Sequence, residues 1–160
     1  MFLEHKRAYR AIRGDVPDEL YTVPIGKAKV VREGTDMTII SYGWYLQEVL
    51  EAVDAFTQQQ QASIEVIDLR SLRPLDSETI LSSVTKTGKV IIVHEANKFG
   101  GIGGEVSAII AEEAFPYLDG PIVRIAGPEV PAMPYAAPME KAFLTNADDI
   151  RAAIERLAAY

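Results

Sequence analysis

Two short stretches of the sequence carry most of what could do chemistry. His94-Glu95 follows the apolar run Val90 to Val93, and Gly100-Gly101-Ile102-Gly103-Gly104 comes shortly afterwards. An imidazole beside a carboxylate is able to form an acid/base couple. Neighbours on a strand point to opposite faces, however, so His94 reads first as a hydrogen-bonded or interface histidine and only second as a chemical group. Gly100, Gly101, Gly103 and Gly104 before a helix offer bare amides to a phosphate. They lack the Lys-Ser/Thr of a Walker loop, and Lys98 is the only nearby cation, so they also read as a turn for close backbone approach. Arg70 and Arg73 form a third cluster with Asp68, and two guanidiniums there could clamp an anion or meet a neighbouring protomer. These residues open a reading as a stand-alone anion-binding regulatory module.

Other chemistries lack their residues. The chain has no cysteine and two histidines, which removes disulfides, thiolate ligands, a cysteine nucleophile and a multi-histidine metal centre. No Gly-x-Ser-x-Gly elbow anchors a hydrolase triad. The formal net charge of −7 argues against nucleic acid as a partner. No apolar stretch approaches the ~18 residues of a membrane span. Lys6, Arg7, Arg10 and Arg13 crowd the beginning, so a basic arm precedes an acidic body, a pattern that suits docking to an acidic neighbour or a solvated linker.

The elements that must position these groups are legible as periodicities. Apolar runs at Met37–Tyr42, Ile64–Leu69, Val90–Val93 and Ile122–Ile125 predict strands, with a weaker first strand over Ala28–Glu33. Between them Leu46, Val49, Leu50, Val53 and Phe56 share a helical face, as do Ile80, Leu81 and Val84, and then Val106, Ile109 and Ile110. Asp76 is placed to cap the second of these helices and Gly88 to end it. Pro128, Pro131, Pro134 and Pro138 predict a long loop, and Thr145/Asp148 a capping box for a last helix with Ile150, Ala153, Ile154 and Leu157 inward. Residues 1–26 read as an arm or linker and 27–160 as one domain. Strands alternating with helices mean an α/β fold with a mostly parallel sheet.

Four segments taken together carry a family resemblance. They are Glu4-His5-Lys6-Arg7-Ala8-Tyr9-Arg10, then Val23-Pro24-Ile25-Gly26-Lys27-Ala28 with Arg32-Glu33-Gly34. Ile67-Asp68-Leu69-Arg70-Ser71-Leu72-Arg73-Pro74-Leu75-Asp76 follows, the most specific of them, and then His94-Glu95-Ala96 leading to Gly100-Gly101 and Gly104-Glu105. Their order and spacing resemble the C-terminal part of the β subunit of thiamine-diphosphate-dependent 2-oxo acid dehydrogenases acting on pyruvate or branched-chain substrates. Val130-Pro131-Ala132-Met133-Pro134-Tyr135 extends the resemblance, and Val23 to Ala28 with His94-Glu95-Ala96 leans to the branched-chain side. Other transketolase-like enzymes remain the neighbouring alternative.

The resemblance implies a transketolase C-terminal domain: three α/β/α layers around a five-stranded sheet whose first strand is antiparallel. It implies that residues 1–26 lead from a pyrimidine-binding domain that the chain lacks, together with the family's activating glutamate and active-site histidine. Catalytic, cofactor-binding and metal-binding residues are therefore expected to be absent, although the parent enzyme uses thiamine diphosphate and Mg²⁺. The implied role is assembly: pairing with a second β subunit, contact with the α subunit, and docking of the acyltransferase component's binding domain. Asp119 and Tyr160 are the expected docking residues by position, with Glu112 and Glu113 as further acidic candidates by composition. The implied location is the cytoplasm in a bacterium or archaeon, and the mitochondrial matrix in a eukaryote.

Overall fold

Apolar residues alternate between two destinations along the central strands, and that alternation builds a sheet covered on both faces. The computed structural model describes all 160 residues. Its sheet contains β1 (Lys29–Arg32), β2 (Met37–Ser41), β3 (Ile64–Asp68), β4 (Val90–Asn97) and β5 (Val123–Gly127) in the order β1-β3-β2-β4-β5. β1 pairs antiparallel with β3 at one edge, and the other pairings are parallel. The expected mixed five-stranded architecture is borne out.

Six helices accompany the strands: α1 (Ala8–Ala11), α2 (Tyr45–Thr57), α3 (Ser77–Thr87), α4 (Ile102–Glu113), α5 (Ala137–Phe143) and α6 (Ala147–Ala158). Ile39, Ile64, Val66, Ile91 and Val93 face α2 and α6, where they meet Val49, Val53, Ile150 and Ile154. Ile40, Ile67, Val90 and Ile92 face α3 and α4, where they meet Ile80, Val84, Val106 and Ile110. Each such side chain, fully removed from water, contributes roughly 1.5–3 kcal/mol relative to exposure. The sheet is thereby a rigid platform with two dry sides.

Local signals set the helix ends. Asp76 Oδ1 accepts from the Thr79 amide at 3.2 Å, and Gly88 closes α3 in a left-handed conformation at φ 68°. The last helix departs from expectation by one residue: Asn146, not Thr145, is the N-cap, and its reciprocal partner is Asp149, not Asp148. Asn146 has extended backbone and its Oδ1 takes both following free amides, at 2.9 and 3.2 Å, whereas Thr145 sits in a cleft wall.

Two further expectations need correction. The proline-rich stretch is not loop throughout, because α5 forms within it. Pro138 falls in that helix's first turn, where a missing N–H breaks no hydrogen bond. β4 runs on to Asn97, four residues past Val93, and so carries His94 and Glu95 as strand residues.

Candidate functional site

The topology singles out one place for a ligand. From β2 the chain moves through α2 on one face to β3; from β4 it moves through α4 on the other. The adjacent strands β2 and β4 therefore diverge at their carboxyl ends, the position at which open α/β sheets take ligands. A cleft of about 850 Å³ opens there, between Trp44 and Tyr45 after β2, Glu95 on β4, and Leu144 to Ala147 before α6.

The chain's own arm lies in this cleft. His5 Nε2 is 3.0 Å from Glu95 Oε2, and the His5 ring stacks on Trp44 at 6.0 Å between centroids. The Arg7 guanidinium lies 4.1 Å above the Trp44 ring. Trp44 is oriented in turn by its indole N–H, which donates to Glu48 at 3.1 Å. Burial pushes the neighbouring Tyr45 hydroxyl up to about 12, with Glu95 and Glu48 adding to the shift, so it stays protonated near neutral pH.

His94 and Glu95 part company as strand neighbours should. Glu95 faces the cleft, while His94 is completely buried on the α4 side. His94 Nδ1 donates to the Ala96 carbonyl at 3.0 Å, and the Gly103 amide donates to Nε2 at 3.2 Å. Desolvation lowers its pKa, helped by the Arg124 charge and opposed by the Ala96 bond. The imidazole is neutral, with both nitrogens engaged, and has no free lone pair for a substrate.

The glycine cluster is shaped around that ring. A Cβ at Gly101 would fall 2.6 Å from His94 Cε1, and one at Gly103 would fall 2.5 Å from Nε2. Gly100 adopts φ 71°, and Gly104 has only an ordinary contact with Arg124 at 3.6 Å. The Gly103 amide goes to His94 and the Gly104 amide to the Gly101 carbonyl. Lys98 is not aimed at these amides by any ion pair; its carbonyl accepts from Arg124 at 3.4 Å.

Arg70 sits at φ 54° with its amide and Nε both turned to Asp68, at 3.2 and 3.4 Å. Arg73 is exposed beside Pro74. Asp76, which could have served Arg73, instead accepts from the Ala28 amide at 2.9 Å and from Thr79. Burial pushes the Asp76 carboxyl up, but these hydrogen bonds and Lys27 outweigh it and hold it below the usual aspartate range. The structure brings Arg70 and Asp68 together and leaves the second guanidinium outside their pairing.

The acidic candidates gather at the opposite end of the sheet. Asp119 lies in the turn before β5, its amide donating to the Gly88 carbonyl at 2.7 Å. A Cβ on Gly120 would sit 3.5 Å from Tyr160 Cβ, so Tyr160 abuts the same turn, and both Asp119 and Tyr160 are exposed. Glu112 and Glu113 are exposed in the last turn of α4. A 3-10 turn over Phe115–Tyr117 follows and exposes two aromatic rings that sequence reasoning does not select. The available signal is two aromatics flanking Pro116 directly after a helix.

A covered five-stranded sheet with one antiparallel edge strand is the architecture of a transketolase-type C-terminal domain. Residues 26–150 match the family described as transketolase, C-terminal domain, and the chain belongs to that family. It is 49% identical over 160 residues to the 2-oxoisovalerate dehydrogenase subunit beta of Bacillus subtilis (strain 168), covering 100% of this chain and 49% of that protein. It is 44% identical over 150 residues to the pyruvate dehydrogenase E1 component subunit beta of the same organism, covering 94% and 45% respectively. A mitochondrial pyruvate dehydrogenase E1 component subunit beta-2 from Oryza sativa subsp. japonica is 43% identical over 159 residues, covering 98% and 42%. Among solved structures, a split-gene transketolase in an inactive beta4 tetramer superposes with TM-score 0.71 at 26% identity, covering 91% of this chain and 45% of that one. The expected likeness to the C-terminal domains of these β subunits is borne out. The chain spans about half the length of the curated relatives it matches. No helix is long and apolar enough to cross a membrane.

Proposed function

We propose that this chain supplies the assembly half of a β subunit in a 2-oxo acid dehydrogenase decarboxylating component and performs no chemistry alone. Its relatives' names support the class, pyruvate or branched-chain. The observation that carries the role is the convergence of Asp119 and Tyr160 on one turn, with Glu112, Glu113, Phe115 and Tyr117 in the neighbouring segment at the end of α4. Exposed carboxylates around aromatic rings suit a basic partner, because aromatics anchor contacts and complementary charge speeds encounter. The partner proposed for this face is the acyltransferase component's binding domain. The α subunit and a second β subunit are the remaining partners of the parent assembly.

The parent reaction requires thiamine diphosphate and Mg²⁺, and the donor set here does not fit either. No three His, Asp or Glu side chains cluster as metal ligands, and the Gly103 and Gly104 amides already have internal partners. On the proposed reading, residues 1–26 would lead in from a domain that holds those groups, and the setting would be cytoplasmic or mitochondrial according to the source.

Calorimetric titration of the acyltransferase binding domain tests the docking face. Asp119→Lys is expected to weaken binding at least tenfold, about 1.4 kcal/mol, while the thermal transition stays in place. Equal affinity of the two forms removes Asp119 from the face.

A further inference from the structure

The cleft between the carboxyl ends of β2 and β4 is lined in part by the chain's own residues 5–7, and the chemistry of body and arm is complementary. The body contributes Glu48, Glu51, Glu95, Glu140 and Asp148 against the single cation Lys141. Trp44 provides an aromatic floor. Into this acidic wall the arm inserts His5, Lys6 and Arg7, with Arg7 on the indole and His5 on Glu95. A guanidinium over an indole face beside carboxylates is a recognition arrangement for cations.

The arm has few anchors on the body. His5 Nδ1 is buried without a partner, an unfavourable state for a ring nitrogen. Beyond Arg7, the arm's next hydrogen bond to the body is from the Gly26 amide to Ser71 Oγ, at 2.9 Å. Ile12, Val16, Leu20, Tyr21 and Val23 between these points are exposed. A surface segment with anchors this sparse can leave the cleft without disturbing the core.

We propose that this cleft is a binding site for basic peptide segments, in which His5-Lys6-Arg7 is a displaceable resident. The incoming ligand is an arginine-bearing segment of a partner protein, recognised by Trp44 together with Glu48 and Glu95. The site lies at the opposite end of the sheet from Asp119 and is independent of docking there.

Trp44 is the only tryptophan in the chain, so its fluorescence reports the cleft directly. The probe is a synthetic peptide with the sequence of residues 4–13, titrated into the full chain and into its Arg7→Glu variant. Arg7 is exposed, so this change leaves the core intact. Arg7→Glu should shift Trp44 emission and bind the peptide about tenfold more tightly than the unaltered chain, whose own arm competes at high effective concentration. Replacing the peptide's arginines by lysine should weaken binding about threefold. Adding Glu48→Lys and Glu95→Lys should abolish it while circular dichroism stays unchanged. Unaltered Trp44 emission in Arg7→Glu overturns the proposal, as does equal peptide affinity in all forms. Loss of binding to Asp119→Lys with binding to the glutamate variants intact would also overturn it, by moving the site to the other end of the sheet.

Discussion

The Gly103 amide donates to Nε2 of His94 across nine residues of chain, and the ring fills the space a Cβ at Gly103 would need. With the Nδ1 bond to Ala96, this contact sets the neutral tautomer, and the ring accounts for a glycine in the first turn of α4. The same bond fixes where the turn after β4 sits, and with it one edge of the carboxyl-end surface.

Alanine substitutions separate the glycines of this turn by cause. Gly103→Ala should destabilise the domain by about 1–3 kcal/mol, because the ring is wedged against β4 and cannot retreat. Gly101→Ala should do the same. Gly104→Ala is expected to stabilise by about 0.5–1 kcal/mol, since it lies within α4 with room for a methyl group. Urea denaturation of the three variants checks the order, and a destabilised Gly104→Ala would reassign that residue to close packing.

The neutral state of His94 makes stability pH-dependent in one direction. Its folded pKa lies below the ordinary 6.5, so below that value the unfolded chain binds the extra proton. Stability is complete above about pH 6.5 and declines as pH falls toward the folded pKa. Asp76 adds a second loss at lower pH, because its folded pKa also lies below the unfolded one. The expected melting profile is flat from pH 7 to 8 and falls on the acid side. The NMR shift of the His94 Cε1 proton should titrate at lower pH in the folded domain than in the urea-unfolded chain.

What can be read from the sequence divides along physical lines. The strands, the inward helix faces, the Asp76 cap and the Gly88 stop are legible because each rests on local periodicity or on a backbone preference. α5 is hidden because proline reads as a breaker, although Pro138 stands in a first turn that needs no amide there. The capping residue is displaced by one position because Thr145 and Asn146 are both competent caps, and only tertiary contact draws Thr145 into the cleft wall. Of the site, the separation of His94 from Glu95 follows from strand geometry. The pairing of His5 with Glu95 spans 90 residues, and no local pattern encodes it.

The shifted cap carries its own test. Asn146→Ala removes acceptors for two amides and should cost about 1 kcal/mol. Asp149→Ala removes the return bond to the Asn146 amide, 3.1 Å long, and should cost less because that amide is exposed. Asp148→Ala should be near neutral, since its side chain makes a surface pair with Arg151 at 3.3 Å. Thermal melts of the three single variants establish the order, and a larger loss from Asp148 than from Asn146 would restore the capping pattern read from the sequence.

Glu65 and Lys86 give the sharpest prediction because one partner has no exposure and the other has 43%. Glu65 accepts from Lys86 and from the Gly34 amide at 3.3 Å, which ties β3, α3 and the turn after β1. Burial pushes the Glu65 carboxyl up, but Lys86, Ser83 and Gly34 outweigh it and leave its pKa below the usual glutamate range. The Lys86 ammonium is held above its usual value, first by its hydrogen bond to Glu65. The pair's stabilisation is therefore lost as pH falls below the ordinary glutamate pKa, or rises past the raised lysine value. Lys86→Met strands a buried carboxylate and should cost roughly 3 kcal/mol, at the low end for broken buried pairs because water reaches Lys86. Glu65→Met with Lys86→Met removes both charges and should return to within about 1 kcal/mol of the unaltered chain. A double-mutant cycle by chemical denaturation measures the difference. If the two losses simply add, the pair is not coupled and Glu65 is held by its other contacts.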